Sequence, residues 1–280
     1  AGRVEVGIGE RHLGIRLALP LGQPIAQLLD AECVRQEGQA VRLGEFENAT
    51  VFHSSAWARL LSNSYGFKAN YIVARENEKT AAILPFMEVR DYLRRRKGVS
   101  LPFSDDCHPL FRDAADFRNT FRFAVGTAEA RSWRLMDILG NAPFEDNVRS
   151  SSFYYRHVLH LLGDEKALFK AFRENTRRNI KRAIKENVSV EFETGLPALK
   201  IFIRLNGLTR KRLGLPPQPA RFFRRLHETI ISRGLGQLAI ARLGGRPVAA
   251  SVFLHMGRKA FFKYGASDKR FGEHRVGPPS

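Results

Sequence analysis

Six basic residues lie within the thirteen from Arg173 to Lys185, against a single acid, Glu174. On a helix, Arg177, Lys181 and Lys185 recur every four residues and share a face, with Arg178 and Arg182 in the adjacent row. Ile180, Ala183 and Ile184 take the other side, which predicts an amphipathic helix with these three buried. Like charges at that spacing cost about 0.2–0.5 kcal/mol per pair. A phosphate or pyrophosphate offsets the cost, because guanidinium grips phosphate oxygens bidentately. Arg177, Arg178, Lys181 and Arg182 are therefore candidate phosphate-binding residues. The alternative is a solvated face neutralised by acids elsewhere.

Two further basic stretches follow the same logic. Arg204 to Arg225 carries seven cations and no acid, with Arg210, Lys211 and Arg212 just ahead of an LPPQP turn. It either extends the anion surface or is a solvated helix end whose cations suit the C-terminal dipole. Arg90 to Lys97 falls at an expected hairpin end and reads as a solvated loop, with a membrane-surface or nucleic-acid contact as the alternative. Asp106-Cys107-His108 holds nucleophile and ligand types side by side. Adjacent residues point in different directions and no partner cluster is apparent from spacing, so the triplet reads as structural. The eight histidines show no metal-ligand spacing. His157 and His160, three apart, are expected on opposite faces of a strand. There is no Walker loop, no G-x-S-x-G and no Rossmann glycine pattern after a strand.

The elements that must hold these residues follow from pattern. The chain has 280 residues, 44% apolar and 26% charged, an ordinary globular balance. Lys and Arg number 46 against 28 Asp and Glu, a net charge of +18, which favours polyanionic partners such as nucleic acid, phosphorylated cofactors or anionic lipid. Two cysteines, Cys33 and Cys107, give no disulfide framework and fit a reducing cytoplasm. LGIRLAL reads as a strand, IAQLLDAECVRQEG as a helix closed by Gly38, and SSAWARLLSNSYG as a capped helix with Trp57, Leu60, Leu61 and Tyr65 on one face. NYIVAREN and TAAILPFMEV form a hairpin, 113–130 a helix and 133–139 a strand. The polar stretch 141–152, with Pro143, reads as a linker after which FYYRHVLHL starts a new sheet. Beyond it come a helix capped by Asp164, the basic helix, the strand VSVEFET, and two longer helices near 197–213 and 219–233. Three strands in a meander follow, QLAIARL, PVAASVFLHM and AFFKYGAS, the first pair joined by Gly244-Gly245. The fold class is mixed α/β (α+β).

Four of these segments, in this order, resemble one family. FHSSAWARLLSNSYGFKANYIVA is similar to the first-half "F-x-x-x-x-W" helix and strand of FemAB-like proteins. FRENTRRNIKRAIKENVSVEF resembles their "RRNIRKA" signature. TRKRLGLPPQPARFFRRLHETI resembles "T-x-R-R-x-G-x-P-x-x-P-x-x-F-F". GQLAIARLGGRPVAASVFLHMGRKAFFKYGASD resembles the "L-x-x-A-x-x-x-G-x-x-V-A" hairpin and "Y-x-x-G-A-x-D". The resemblance spans roughly residues 50–275. It implies tandem GNAT-like lobes, 1–145 and 146–280, each a mixed, mainly antiparallel sheet flanked by helices. Family members continue after G-A-S-D with a helix and two further strands, so the C-terminal lobe is expected to be truncated.

The same resemblance implies an acyltransferase. Its donor is acyl-CoA, with aminoacyl-tRNA as the alternative, and its acceptor an amine of a cell-envelope sugar, peptide or polysaccharide precursor. The implied partners are that small-molecule or lipid-linked precursor, tRNA under the alternative donor, and a peripheral contact at the inner face of the membrane. No metal is expected. In GNAT folds the loop after the fourth core strand feeds a helix whose N-terminus holds the donor's pyrophosphate. Arg270, Gly272, Arg275 and Gly277 fall there. Tyr264 and Asp268, at the end of the third meander strand, are the candidates for orienting the acceptor amine or moving its proton. A reading from another class remains beside these: a catalytically inactive basic module that binds nucleic acid or anionic surfaces.

Overall fold

The computed structural model describes residues 10–18, 31–34, 43–77, 79–144, 150–161 and 164–274. They divide into two compact units, one closing at Arg156 and the other opening at His157.

The first unit is built on a mainly antiparallel sheet. Its strands are β1 (Glu10–Ala18), β2 (Ala31–Val34), β3 (Lys68–Glu76), β4 (Lys79–Arg90), β5 (Arg96–Val99), β6 (Leu110–Phe111), β7 (Leu135–Leu139) and β8 (Ser150–Arg156). They lie in the order β2-β3-β4-β5-β7-β1-β8, with β6 paired to β4 off that path. The β5–β7 pair is parallel. A crossover helix makes that possible: α2 (Ala114–Ala130), capped by Asp113, whose carboxylate accepts from Ala115 N and Asp116 N. β4 is buried from Thr80 through Glu88, the continuous apolar run expected of a strand covered on both faces. Ile72, Leu84, Phe86, Ala124, Ala128, Trp133 and Met136 form the core where α2 meets this sheet. α1 (Ser55–Tyr65) starts on Ser54, whose Oγ accepts from Trp57 N, and ends at Gly66 in the left-handed region.

Two expectations are corrected here. Ala31–Val34, inside the expected helix 25–38, is a strand at the edge of the sheet, paired with Tyr71–Ala74. Ladder bonds to β3 override a helical spacing worth only tenths of a kcal/mol per residue; the flanking 25–30 and 35–38 lie outside the described residues. Ser150–Arg156 does not start a new sheet. It pairs antiparallel with β1, so the division falls at Arg156 rather than at 145/146. His157 and His160 lie past the end of that strand and not on it.

The second unit carries α3 (Glu165–Ala171), α4 (Glu174–Lys185), β9 (Ser189–Glu193), α5 (Leu196–Arg212), α6 (Ala220–Thr229), β10 (Gly236–Leu243), β11 (Arg246–Met256) and β12 (Lys259–Ser267). Its antiparallel sheet runs β12-β11-β10-β9. Leu238, Ile240, Ala250, Val252 and Leu254 alternate onto one face and are fully buried, as are Phe202 of α5 and Phe222, Phe223 and Leu226 of α6. The period-2 pattern of the strands and the 3.6 pattern of the helices thus build one core. On β9, Val190 and Phe192 remain 56% and 63% exposed, while Glu191 and Glu193 bond Arg242 of β10.

Candidate functional site

β12 ends in the residues that sequence singled out, and three local devices shape that end. The first is a bulge. Val252 opposes Tyr264 but Phe253 opposes Phe262, so Lys263 is an extra residue on β12. A bulge interrupts the ladder and re-aims the neighbouring side chains and amides. Tyr264, beside it, lies half-buried. Its ring stands edge-on to Phe222 and Phe223, at centroid distances of 6.3 and 5.4 Å, and 6.3 Å from Phe202. Lys263 Nζ sits 5.5 Å from the same ring centroid, within cation–π range.

The second device is Thr209 on α5. Its Oγ1 donates to Ser267 O at 3.0 Å and accepts from Ser267 N at 2.9 Å. One hydroxyl thereby satisfies both backbone groups of the last β12 residue and ties the strand to the helix. Arg210, next along, turns away. Its Nε and Nη2 donate to Pro216 O at 3.2 and 3.0 Å, closing the LPPQP turn rather than extending an anion surface.

The third device is Asp268. Its N–H donates to Val248 O, the carbonyl of the bulged residue on β11, at 2.9 Å. Its Oδ1 accepts from Arg270 N at 3.1 Å, capping the 3-10 turn Lys269–His274. Its carboxylate also takes the Arg270 guanidinium, with Nη2 2.7 Å from Oδ2. That bond to Arg270, helped by the Arg204 charge, holds the Asp268 carboxyl below the usual carboxylate range. Asp268 is therefore an anion that positions, and a weak base at neutral pH. The carboxylate side chain is 6% exposed and its arginine partner 78% exposed, so Arg270 can offer a ligand the rest of its fork. Gly272 lies within the same 3-10 turn; Arg275 and Gly277 lie outside the described residues.

The basic helix stands apart in its packing. No α4 residue is buried. Ile180 and Ala183 are half-buried, but Ile184 is 68% exposed, which corrects its expected place on the buried side. The helix turns directly into β9, and Val188 N donates to Ala183 O at 3.0 Å. Val188 packs on the same small cluster, Ala241, Val248 and Ala249, as Phe271 of the 3-10 turn. The C-terminal end of α4 and the Asp268–Arg270 turn are thereby brought to one patch of core. The four candidate cations divide. Arg182 bonds Glu186 (2.8 Å) and Arg178 bonds the Asn175 side chain (2.9 Å). Arg177 and Lys181 carry no acidic partner among the described residues.

The first unit holds a polar cluster that spacing did not reveal. His108 Nε2 lies 2.9 Å from Asp106 Oδ1, and Arg156, at the end of β8, pairs with Asp106 Oδ2. His108 Nδ1 accepts from Asn141 N at 2.9 Å, and a Cβ at Gly140 would overlap this ring. His53, fully buried, accepts from Thr50 N on Nδ1 (3.0 Å) and donates from Nε2 to His108 O (2.8 Å). Burial outweighs these bonds and lowers the His53 pKa to about 4. Burial would raise Asp106, but the His108 bond and the charges of His108, Arg156 and His53 win and bring it to about 2. Cys107, between them, is fully buried, and that burial pushes its thiol up. His53 is bonded at both nitrogens, His108 lies between Asn141 N and the Asp106 carboxylate, and the thiol is sealed, so the cluster clamps the 100–108 loop to the strand ends. Among the described residues no group of three His, Cys, Asp or Glu is placed to hold a metal, and no helix is long and apolar enough to cross a membrane.

Residues 170–278, the segment with the basic helix, the meander and the capped turn, match a family model described as an acetyltransferase (GNAT) domain. No curated protein matches the chain. Among solved structures, the chain is similar to one described as "Crystal structure of FemX", at 11% identity and a TM-score of 0.65. The alignment covers 88% of this chain and 82% of that one. At that identity the likeness concerns the fold.

Proposed function

We propose, from the premise that this chain is a GNAT-type acyltransferase with a FemX-like fold, that it moves an acyl group from acyl-CoA to an amine of a cell-envelope sugar, peptide or polysaccharide precursor. The observation that carries the reading is the bulged end of β12 running straight into the Asp268-capped turn with Arg270 on it. The amine nitrogen attacks the thioester carbonyl and the C–N bond forms. The C–S bond breaks, and the proton lost by the amine ends on the leaving thiol. Backbone N–H groups around the Lys263 bulge are the donors suited to the carbonyl oxygen as it gains charge. Arg270, Gly272, Arg275 and Gly277 take the donor's phosphates, and Tyr264 and Asp268 orient the acceptor. Arg177, Arg178, Lys181 and Arg182 supply a second phosphate contact, with Arg177 and Lys181 the more available pair.

The experiment is thiol release from acetyl-CoA in the presence of amino-sugar and peptide amines. Amine-dependent release that falls on Arg270→Ala supports the reading. Absence of release with every acyl-CoA, alongside transfer from aminoacyl-tRNA, replaces it with the second reading. That alternative draws on the +18 net charge and on the exposed cations of α4.

A further inference from the structure

The hairpin joining β4 to β5 presents the most exposed large apolar side chain among the described residues, Tyr92, at 89%, with Leu93 beside it at 55%. This tip is rigidly built. Asp91 Oδ1 accepts from Leu93 N (2.9 Å) and Arg95 N (3.0 Å), and Arg95 Nε donates to Asp91 Oδ2 at 2.7 Å. Asp91 N bonds Arg95 O and Arg94 N bonds Asp91 O, at 3.0 and 2.9 Å. Arg94 takes φ 58° to close the turn. An acidic side chain thus organises the tip so that two apolar side chains point away from the protein.

A collar of cations surrounds them. Arg90, Arg94 and Arg96 are exposed and Lys97 half-exposed. The turn before β7 adds to it. Arg134 N donates to Arg96 O at 3.0 Å, and the exposed Arg134 sits at the same end of the sheet. Across 88–97 and 129–134 there are seven cations and three acids. Of the acids, Asp91 is bound to Arg95, and Glu88 is buried and accepts from Trp133 Nε1 at 2.9 Å.

We infer that this hairpin docks the protein on an anionic lipid bilayer, with Tyr92 and Leu93 seated at headgroup depth and Arg90, Arg94, Arg96, Lys97 and Arg134 on the lipid phosphates. A tyrosine with an apolar body and polar tip suits the membrane interface. Cations near an anionic surface each add about fivefold in affinity and act within a Debye length. The convex tip favours a bilayer over RNA. A nucleic acid uses the cations and can stack on Tyr92, but it gives Leu93 no apolar partner. The inference concerns the first unit and is independent of the acyl donor.

The test is flotation of the full chain with liposomes of phosphatidylcholine alone and with 30% phosphatidylglycerol. Binding is expected to the anionic liposomes only, and to weaken as salt rises. Tyr92→Ser with Leu93→Ser should reduce it by about tenfold, and so should Arg94→Glu with Arg96→Glu. Circular dichroism of these surface variants should match the parent, and a Tyr92→Trp variant should shift its emission to the blue on binding. No flotation with anionic liposomes, or flotation undiminished by the Tyr92/Leu93 change, overturns the inference. Salt-sensitive binding to single-stranded RNA that needs the arginines and exceeds liposome binding also overturns it.

Discussion

Arg270 closes its guanidinium on Asp268, two residues back, with Nη2 2.7 Å from Oδ2 and Nε 3.1 Å from Oδ1. The pair stands directly after β12, and the same carboxylate caps the turn through Arg270 N. An arginine with its other donors facing solvent is a phosphate hook already held in position. Arg270→Ala should raise the KM for acyl-CoA by about tenfold, the worth of one charged hydrogen bond, with a smaller change in kcat. Asp268→Asn keeps the cap and should change the KM less. Steady-state kinetics at varied acyl-CoA measures both.

Thr209 meets Ser267 through both of its backbone groups. Thr209→Val keeps the shape and removes both bonds, leaving a part-buried N–H and C=O unmade. The expected loss of stability is about 1–3 kcal/mol. Urea unfolding should show a lower midpoint with an unchanged m-value.

His53 binds no proton in the folded state until pH falls to about 4, whereas unfolded it titrates near 6.5. Between those values the unfolded chain holds more protons, so stability rises with pH there. The contribution is complete above about 6.5 and is lost as pH falls toward 4, amounting to about 3 kcal/mol. Asp106, lowered from 3.8 to about 2, adds a second loss over that lower window. Thermal unfolding against pH should show the upper limb, and His53→Gln should flatten it.

On α4, Arg177→Ala with Lys181→Ala should weaken binding of the phosphorylated donor or acceptor by about tenfold. Arg182→Ala should weaken it less, because the Arg182 Nε is already bonded to Glu186. Calorimetric titration separates the two; equal affinities for all three proteins would remove α4 from the site.

Much of the fold was legible from local signals. The serine pair 54–55 with Gly66, Asp164 and Gly244-Gly245 mark ends and turns through bonds made within a few residues, and each marks an end or a turn in the structure, with Ser54 the cap of the pair. What escaped was long-range pairing. The β2 and β8 assignments depend on partners about 40 and 140 residues away in sequence, and nothing local announces them. The site divides in the same way. The basic helix stands out by type and spacing, and Asp268 and Arg270 through the resemblance of the third meander strand and its loop to GNAT-like proteins. Asp106 and His108 are near neighbours in the chain, but Arg156, which pairs with Asp106, and His53, which bonds His108 O, reach them only through the fold. Thr209 shows only as one residue of the T-R-K-R run, and its double bond to Ser267 needs α5 laid along the sheet.

In the proposed function, the bulged strand and capped turn of the second unit hold an acyl-CoA. Isothermal titration of the full chain with acetyl-CoA and, separately, with an aminoacyl-tRNA tests it most directly. Saturable one-to-one binding of acetyl-CoA that Arg270→Ala weakens about tenfold is expected. No heat with acetyl-CoA, together with tight binding of aminoacyl-tRNA, would contradict it.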